Sequence, residues 1–201
     1  DRLIAYLPRY APLAARMPWL SNMHNSALFR VWRRRLLGFA TQRTMPAWRR
    51  DVFDSVSVHT PAEGPEVVLF ADTFNRYFEP ENLRAAVHVL EAMGYQVSTP
   101  MPADTPRPLC CGRTFLSSGL VGEARKEGQR VLDTLMPYVE RGVPVIGLEP
   151  SCLLSLRDEF SGLFPGQGTR ELAKQAMLFE EFLVAEHDAG RLKLDLQAVG
   201  K

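Results

Sequence analysis

Three cysteines carry most of the chemistry this sequence offers. Two are adjacent and followed by glycine, Cys110-Cys111-Gly112, and the third lies in Glu149-Pro150-Ser151-Cys152. Thiolates are soft ligands suited to iron–sulfur clusters and zinc. Gly112 has no Cβ, so the backbone there can approach a bulky group. Cys152 follows Pro150, which opens a helix, and a helix N-terminus favours the thiolate. Arg113 has the charge to lower the pKa of the neighbouring thiols or to pair with an anionic substrate. The bland alternative is burial, because a free cysteine behaves as a small hydrophobe. A third use, Cys152 as the nucleophile of a hydrolase or transferase, requires a histidine partner. None of His24, His59, His88 and His187 is identifiable as one, and they share no metal-ligand spacing.

The elements that must hold these residues come from hydrophobic patterning. Val67 to Phe70 is a short apolar, β-branched run and predicts a buried strand. Pro80 to Met93 predicts a helix with Leu83, Ala86, Val87 and Leu90 on one face, stopped by Gly94. Tyr95 to Ser98 is a second strand, followed by a proline-rich stretch that leads to Cys110. A long helix runs from Gly119 to Arg141, a third strand from Pro144 to Leu148, and a further helix from Pro150 through Phe160. Thr169 caps a last helix carrying Leu172, Ala176, Phe179, Phe182 and Leu183, and the tail beyond Gly190 begins another strand. Strands alternating with helices predict βαβ units and a short parallel sheet in a three-layer α/β fold. In such sheets the loops after each strand share one edge, where ligands bind. Both cysteine sites fall on that edge. Asp72, Asn75 and Arg76 follow the first strand and are placed to cap a helix, to pair at the surface or to meet a substrate.

The chain before the first strand differs in kind. Residues 1–50 hold ten arginines, no lysine and one acid, a charge of +9, against −8 for the remainder of a 201-residue chain. Residues 1–60 read as an irregular helical arm broken by Pro8, Pro12 and Pro18. Its clearest helix runs from Asn25 to Phe39, with arginines largely opposite an apolar face. Pro61 to Pro65 reads as a linker, which divides the chain into an arm, 1–60, and an α/β domain, 61–201. Trp19, Trp32 and Trp48 are expected to anchor the arm to that domain. The arginines suit a solvated face or a docking surface. They have no interleaved aromatic pattern for nucleic acid, and peripheral contact with a membrane surface is an intermediate option. An odd number of cysteines and no signal peptide point to the cytoplasm, and the absence of an initiator Met suggests a chain that is processed or cut from something longer.

Three stretches, FADTFNRYFEPENLRAAVHVLEAMGYQV, PLCCGRTFLSSGLVGEARKEG and VPVIGLEPSCLLSLRDEF, resemble the cysteine-rich CCG domain of iron–sulfur oxidoreductases. That group includes the cysteine-rich component of heterodisulfide reductase and the iron–sulfur component of glycolate oxidase. The likeness is greatest to the C-terminal region of fused FAD-linked D-lactate or D-2-hydroxyacid dehydrogenases. The resemblance implies that Cys110, Cys111 and Cys152 are ligands of an iron–sulfur cluster of the 4Fe–4S kind. It also implies that FAD sits in a preceding domain, and that the partners are that flavin domain, a ferredoxin-like domain and a second CCG half of the same protein. The pattern departs at two positions. Thr73 stands where the family has a cysteine after the first strand, and Ser155 where it ends in Cys-x-x-Cys. With Arg113, these are candidates to stand beside the cluster or in place of a ligand. The resemblance thus implies an electron-transfer module that is inactive by itself, or a degenerate domain that has kept the fold as a scaffold.

Overall fold

The computed structural model describes residues 2–38, 40, 42–55, 64–103, 105–192 and 194, with backbone alone for residues 27, 28, 30, 33 and 37. Four parallel strands form one sheet: β1 Glu66–Phe70, β2 Gln96–Ser98, β3 Val145–Gly147 and β4 Ala176–Leu178, in the order β2-β1-β3-β4. The registers pair Val67 with Val97, Leu69 with Ile146, and Ile146 with Met177. The α/β fold class expected from the sequence is the one observed.

Side chains of β1 alternate between two cores, as the pleat requires. Val68 and Phe70 join a cluster formed with α8 (Val121–Val139), α9 (Pro150–Arg157) and α11 (Gln167–Gln175). Val67 and Leu69 join the opposite cluster, formed with α6 (Pro80–Ala92) and α12 (Phe179–Asp188). Both faces of the sheet are therefore covered, which is why the strand reads as a continuous apolar run. Leu83, Ala86, Val87 and Leu90 are the buried face of α6, as their spacing predicts. His88 is exposed on the same helix.

The predicted last helix is the main correction. It divides into α11, β4 and α12. Apolar positions continue at helical spacing across the break, so periodicity alone reads through it. The backbone N–H of Leu178 instead donates to the Glu181 carboxylate at 2.9 Å, which starts α12 afresh. The helix from Pro150 also breaks, at Asp158, before α10 (Glu159–Leu163). A short helix not foreseen, α5 (Thr73–Tyr77), directly follows β1.

The arm contains α1 (Arg2–Ala5), α2 (Leu7–Arg16), α3 (Pro18–Ser21), a 3₁₀ turn at Asn22–Asn25 and α4 (Ala27–Leu37). Ala11, Ala15 and Trp48 pack with Tyr77, and Ala5 packs with Phe115 and Ala124. Trp48 is the anchor expected of it. Trp19 and Trp32 are not: each is 66% exposed. The expected domain boundary and most of the linker lie outside the described residues, as do Phe39 and most of the expected C-terminal strand. No helix among the described residues is long and apolar enough to cross a membrane.

Candidate functional site

Strand order reverses direction between β1 and β3, which are neighbours although β2 lies between them in sequence. The crevice at the carboxyl ends of such a pair is the usual ligand site of an open parallel sheet. The loop after β1 supplies Asp72 and Thr73, and β3 leads directly into Glu149 and Cys152. The Cys110-Cys111-Gly112 loop arrives after β2 and a long proline-rich connection, and α7 (Arg113–Leu116) follows it.

Two glycines let this edge close. Gly112 has φ of +82°, and a Cβ there would lie 3.0 Å from the Ala124 carbonyl oxygen. This left-handed turn brings the CCG loop against α8 and directs its carbonyl to the Phe115 and Leu116 N–H groups, both at 3.1 Å. Gly147, the last residue of β3, lies so near Leu153 that a Cβ would meet its Cδ1 at 2.8 Å. That contact seats α9 on the end of the strand.

The structure brings the three sulfurs together. Cys110, Cys111 and Cys152 are all buried and none forms a disulfide. Cys111 lies between the other two thiols and interacts electrostatically with Cys110 and with Cys152. The Gly112 N–H donates to Cys110 Sγ at 3.4 Å. All three thiols are held in the neutral form. Cys111, then burial, raises the pKa of Cys110. Cys110 lowers that of Cys111, but Cys152 and burial outweigh it. Cys152 is likewise lowered by Cys111 and raised more by burial and by the nearby Asp72 and Glu149 carboxylates. The expectation of a readily ionised thiol at the α9 start therefore fails. The helix N-terminus is offset by burial and by two nearby carboxylates.

The remaining sequence candidates surround the sulfurs unevenly. Thr73 is buried as the first residue of α5. Ser155 is also buried, but its hydroxyl donates to the Ser151 carbonyl at 2.8 Å, within α9. Arg113 turns its guanidinium to Glu159 in an ion pair and is 44% exposed. Its backbone N–H, rather than its charge, serves Cys111. Asp72 caps α5, accepting from the N–H groups of Phe74 at 2.8 Å and Asn75 at 3.0 Å and from the Asn75 side chain at 2.7 Å. Burial still raises its pKa, with Glu149 adding to the effect.

Sequence reading missed Glu127. This α8 residue is 1% exposed and holds three arginines: Arg9 from the arm at 3.1 Å, Arg107 from the loop before the cysteines at 2.8 Å, and Arg130 at 3.0 Å. Burial raises its pKa, but the three guanidiniums outweigh that and leave it low. Arg9 also stacks over Phe115, 4.8 Å from the ring centroid. The arm is thereby tied to the helix that follows the CCG loop. The only sequence signal was an acid at a position that the α8 pattern assigns to the core.

An iron–sulfur cluster requires thiolate ligands, four in number for the 4Fe–4S kind. The donors here agree in kind and fall short in number. Three sulfurs meet, one of the two oxygen-bearing positions is committed to its own helix, and the adjacent carboxylates oppose thiolate formation. No group of three or more His, Cys, Asp or Glu among the described residues is arranged to hold a metal ion.

Comparison with known proteins gives a consistent relationship over a limited length. The chain is similar to the D-2-hydroxyglutarate dehydrogenase of Escherichia coli (strain K12), with 24% identity over 174 residues, 80% of this chain and 16% of that protein. It is 31% identical to the Pseudomonas putida (strain KT2440) enzyme of the same name over 103 residues, 50% of this chain and 10% of the relative. The Pantoea ananatis (strain AJ13355) enzyme gives 21% over 174 residues, 80% of this chain and 16% of that protein. The chain thus spans about one-sixth or less of the length of these curated relatives. No family profile and no solved structure matches the chain. These similarities fit a relationship to D-2-hydroxyacid dehydrogenases.

Proposed function

We propose that this chain is a redox module of a flavin-linked D-2-hydroxyacid dehydrogenase, with a three-thiol site that is completed by a ligand from elsewhere in a longer protein. The observation that supports this reading best is the meeting of Cys110, Cys111 and Cys152 at the β1–β3 crevice. Three separate loops deliver functional groups there, and only two of those loops carry sulfur. Once bound, a cluster would supply one-electron transfer between the flavin of a preceding domain and an acceptor. The chain's own part is to hold the three sulfurs, buried and protonated, away from water. The arm, with its excess of arginine, is the proposed contact to the flavin and ferredoxin-like domains, and the second CCG half is the proposed source of the missing ligand.

The test is iron and acid-labile sulfide content of the longer protein, purified without oxygen, before and after replacing all three cysteines by alanine. Loss of one cluster equivalent is expected. Unchanged iron content would falsify the reading.

A second reading has its own support. The high thiol pKa values and the internally bonded Ser155 hydroxyl are what a domain would show if it had lost its cluster and kept the fold as a docking scaffold. On that reading the triple alanine variant of the longer protein transfers electrons at the unaltered rate.

A further inference from the structure

The sulfur pocket is not the only place prepared for a ligand. A cleft of about 550 Å³ opens between the arm and the α/β domain. Arg16 of α2 lines it, with Arg50, Phe53 and Asp54 from the segment after Trp48, and Arg76 and Tyr77 of α5. Its volume lies within the roughly 300–1,000 Å³ of small-molecule sites.

Arg76 is the unusual member. It is 5% exposed, yet it forms no ion pair with a described carboxylate. Its Nη1 donates to the Phe53 carbonyl at 2.8 Å, and its guanidinium lies 5.6 Å from the Phe53 ring centroid. Its Nε is buried without a partner. Burial lowers its pKa against the attraction of Tyr77, Asp54 and Asp72. A buried charge normally has a counter-ion, because desolvation is otherwise uncompensated. The molecule follows that rule elsewhere, with three arginines on Glu127 and Arg191 on Glu186. Arg16 and Arg50, exposed at the rim, also form no ion pair among the described residues. Against these three cations the described lining sets one carboxylate, Asp54.

We propose that this cleft binds a small organic anion through its carboxylate groups, with Arg76 at the buried end and Arg16 and Arg50 at the mouth. A planar guanidinium matches a carboxylate in shape and hydrogen-bond direction. Phe53, Met101 and Pro108 offer the apolar contact that a carbon skeleton uses and a bare phosphate does not. The site uses none of the three thiols, so it stands or falls independently of the redox reading.

Isothermal titration of the 201-residue chain with succinate, and separately with inorganic phosphate, tests this at low ionic strength. Saturable binding of succinate, tighter than that of phosphate, is expected. Arg16→Ala and Arg50→Ala lie at exposed positions that the fold tolerates, and each should weaken succinate about tenfold, the value of one charge-assisted hydrogen bond or more. Arg76→Met should abolish binding, with circular dichroism to check folding; if that variant does not fold, the two rim variants decide the matter. No saturable succinate binding, phosphate binding as tight as succinate, or unchanged affinity in the Arg16→Ala/Arg50→Ala double variant overturns the proposal.

Discussion

Two buried carboxylates, Asp72 and Glu127, each 1% exposed, titrate in opposite directions. Glu127 is surrounded by Arg9, Arg107 and Arg130 and stays ionised. Asp72 has neutral donors only, three N–H groups from Phe74 and Asn75, and burial raises its pKa. Burial alone therefore does not set the charge of a buried acid; the partners do. The contrast also divides the molecule. On the Glu127 side, charge ties the arm to α8. On the Asp72 side, burial outweighs the hydrogen bonds and holds the thiols neutral. The first region is built for cohesion; on the proposed reading, the second is completed by a cation.

The largest expected effect comes from removing the centre of the charged cluster. Glu127→Ala leaves three guanidiniums without their shared partner and should cost about 3–5 kcal/mol in urea denaturation. A loss below about 1 kcal/mol would mean that the cluster is solvated and the comparison mistaken.

Thiol reactivity sharpens the other side. Cys110, Cys111 and Cys152 are buried and neutral, so alkylation by iodoacetamide at pH 8 should be at least about tenfold slower than for an unperturbed cysteine. Unfolding in urea should restore the ordinary rate. Rapid reaction at Cys152 in the folded chain would revive the reading of that residue as a nucleophile.

Arg9→Ala is expected to cost less, about 1–2 kcal/mol, through the lost pairs with Glu123 and Glu127 and the lost stacking on Phe115. Its clearest sign would be faster amide exchange in α1 and α2, with the β1–β3 core unchanged.

Asp72 should give the smallest change and the most informative pH dependence. Asn caps a helix nearly as well as Asp, so Asp72→Asn should alter stability by under about 1 kcal/mol near pH 4, whereas Asp72→Ala should cost about 1 kcal/mol. The pKa of Asp72 in the folded chain lies above its ordinary value of 3.8. The folded state thus binds the proton more tightly, and this contribution is lost as pH rises through that folded pKa. The asparagine variant should therefore gain on the unaltered chain as pH rises above about 4 and then level off. Glu127 has the opposite sign: its contribution is present above its ordinary value of 4.5 and is lost as pH falls through its lowered pKa.

Much of this was legible in the sequence because it is local. The apolar run Val67 to Phe70, the helix from Pro80 and the stop at Gly94 depend on neighbours along the chain. So does the placement of two cysteine sites on one edge, which needs no more than parallel strands. What escaped reading depends on distant partners. Helical spacing from Leu172 to Phe182 concealed β4, because pairing with β3 overrides periodicity. Glu127 and Arg76 resemble ordinary surface charges until the fold brings Arg9 to one and buries the other with no ion pair among the described residues. The pKa of Cys152 could not be taken from its helix position, because burial and Asp72, which arrives from the loop after β1, depend on the fold.

The sulfur pocket, on this account, has three thiols and lacks one or more further ligands. Restoring them tests that most directly, with Thr73→Cys and Ser155→Cys combined in the 201-residue chain. After anaerobic incubation with iron and sulfide and removal of excess reagents, the unaltered chain should remain nearly colourless. The double variant should retain iron, sulfide and broad visible absorption. A full cluster in the unaltered chain, or none in a correctly folded double variant, would contradict the account.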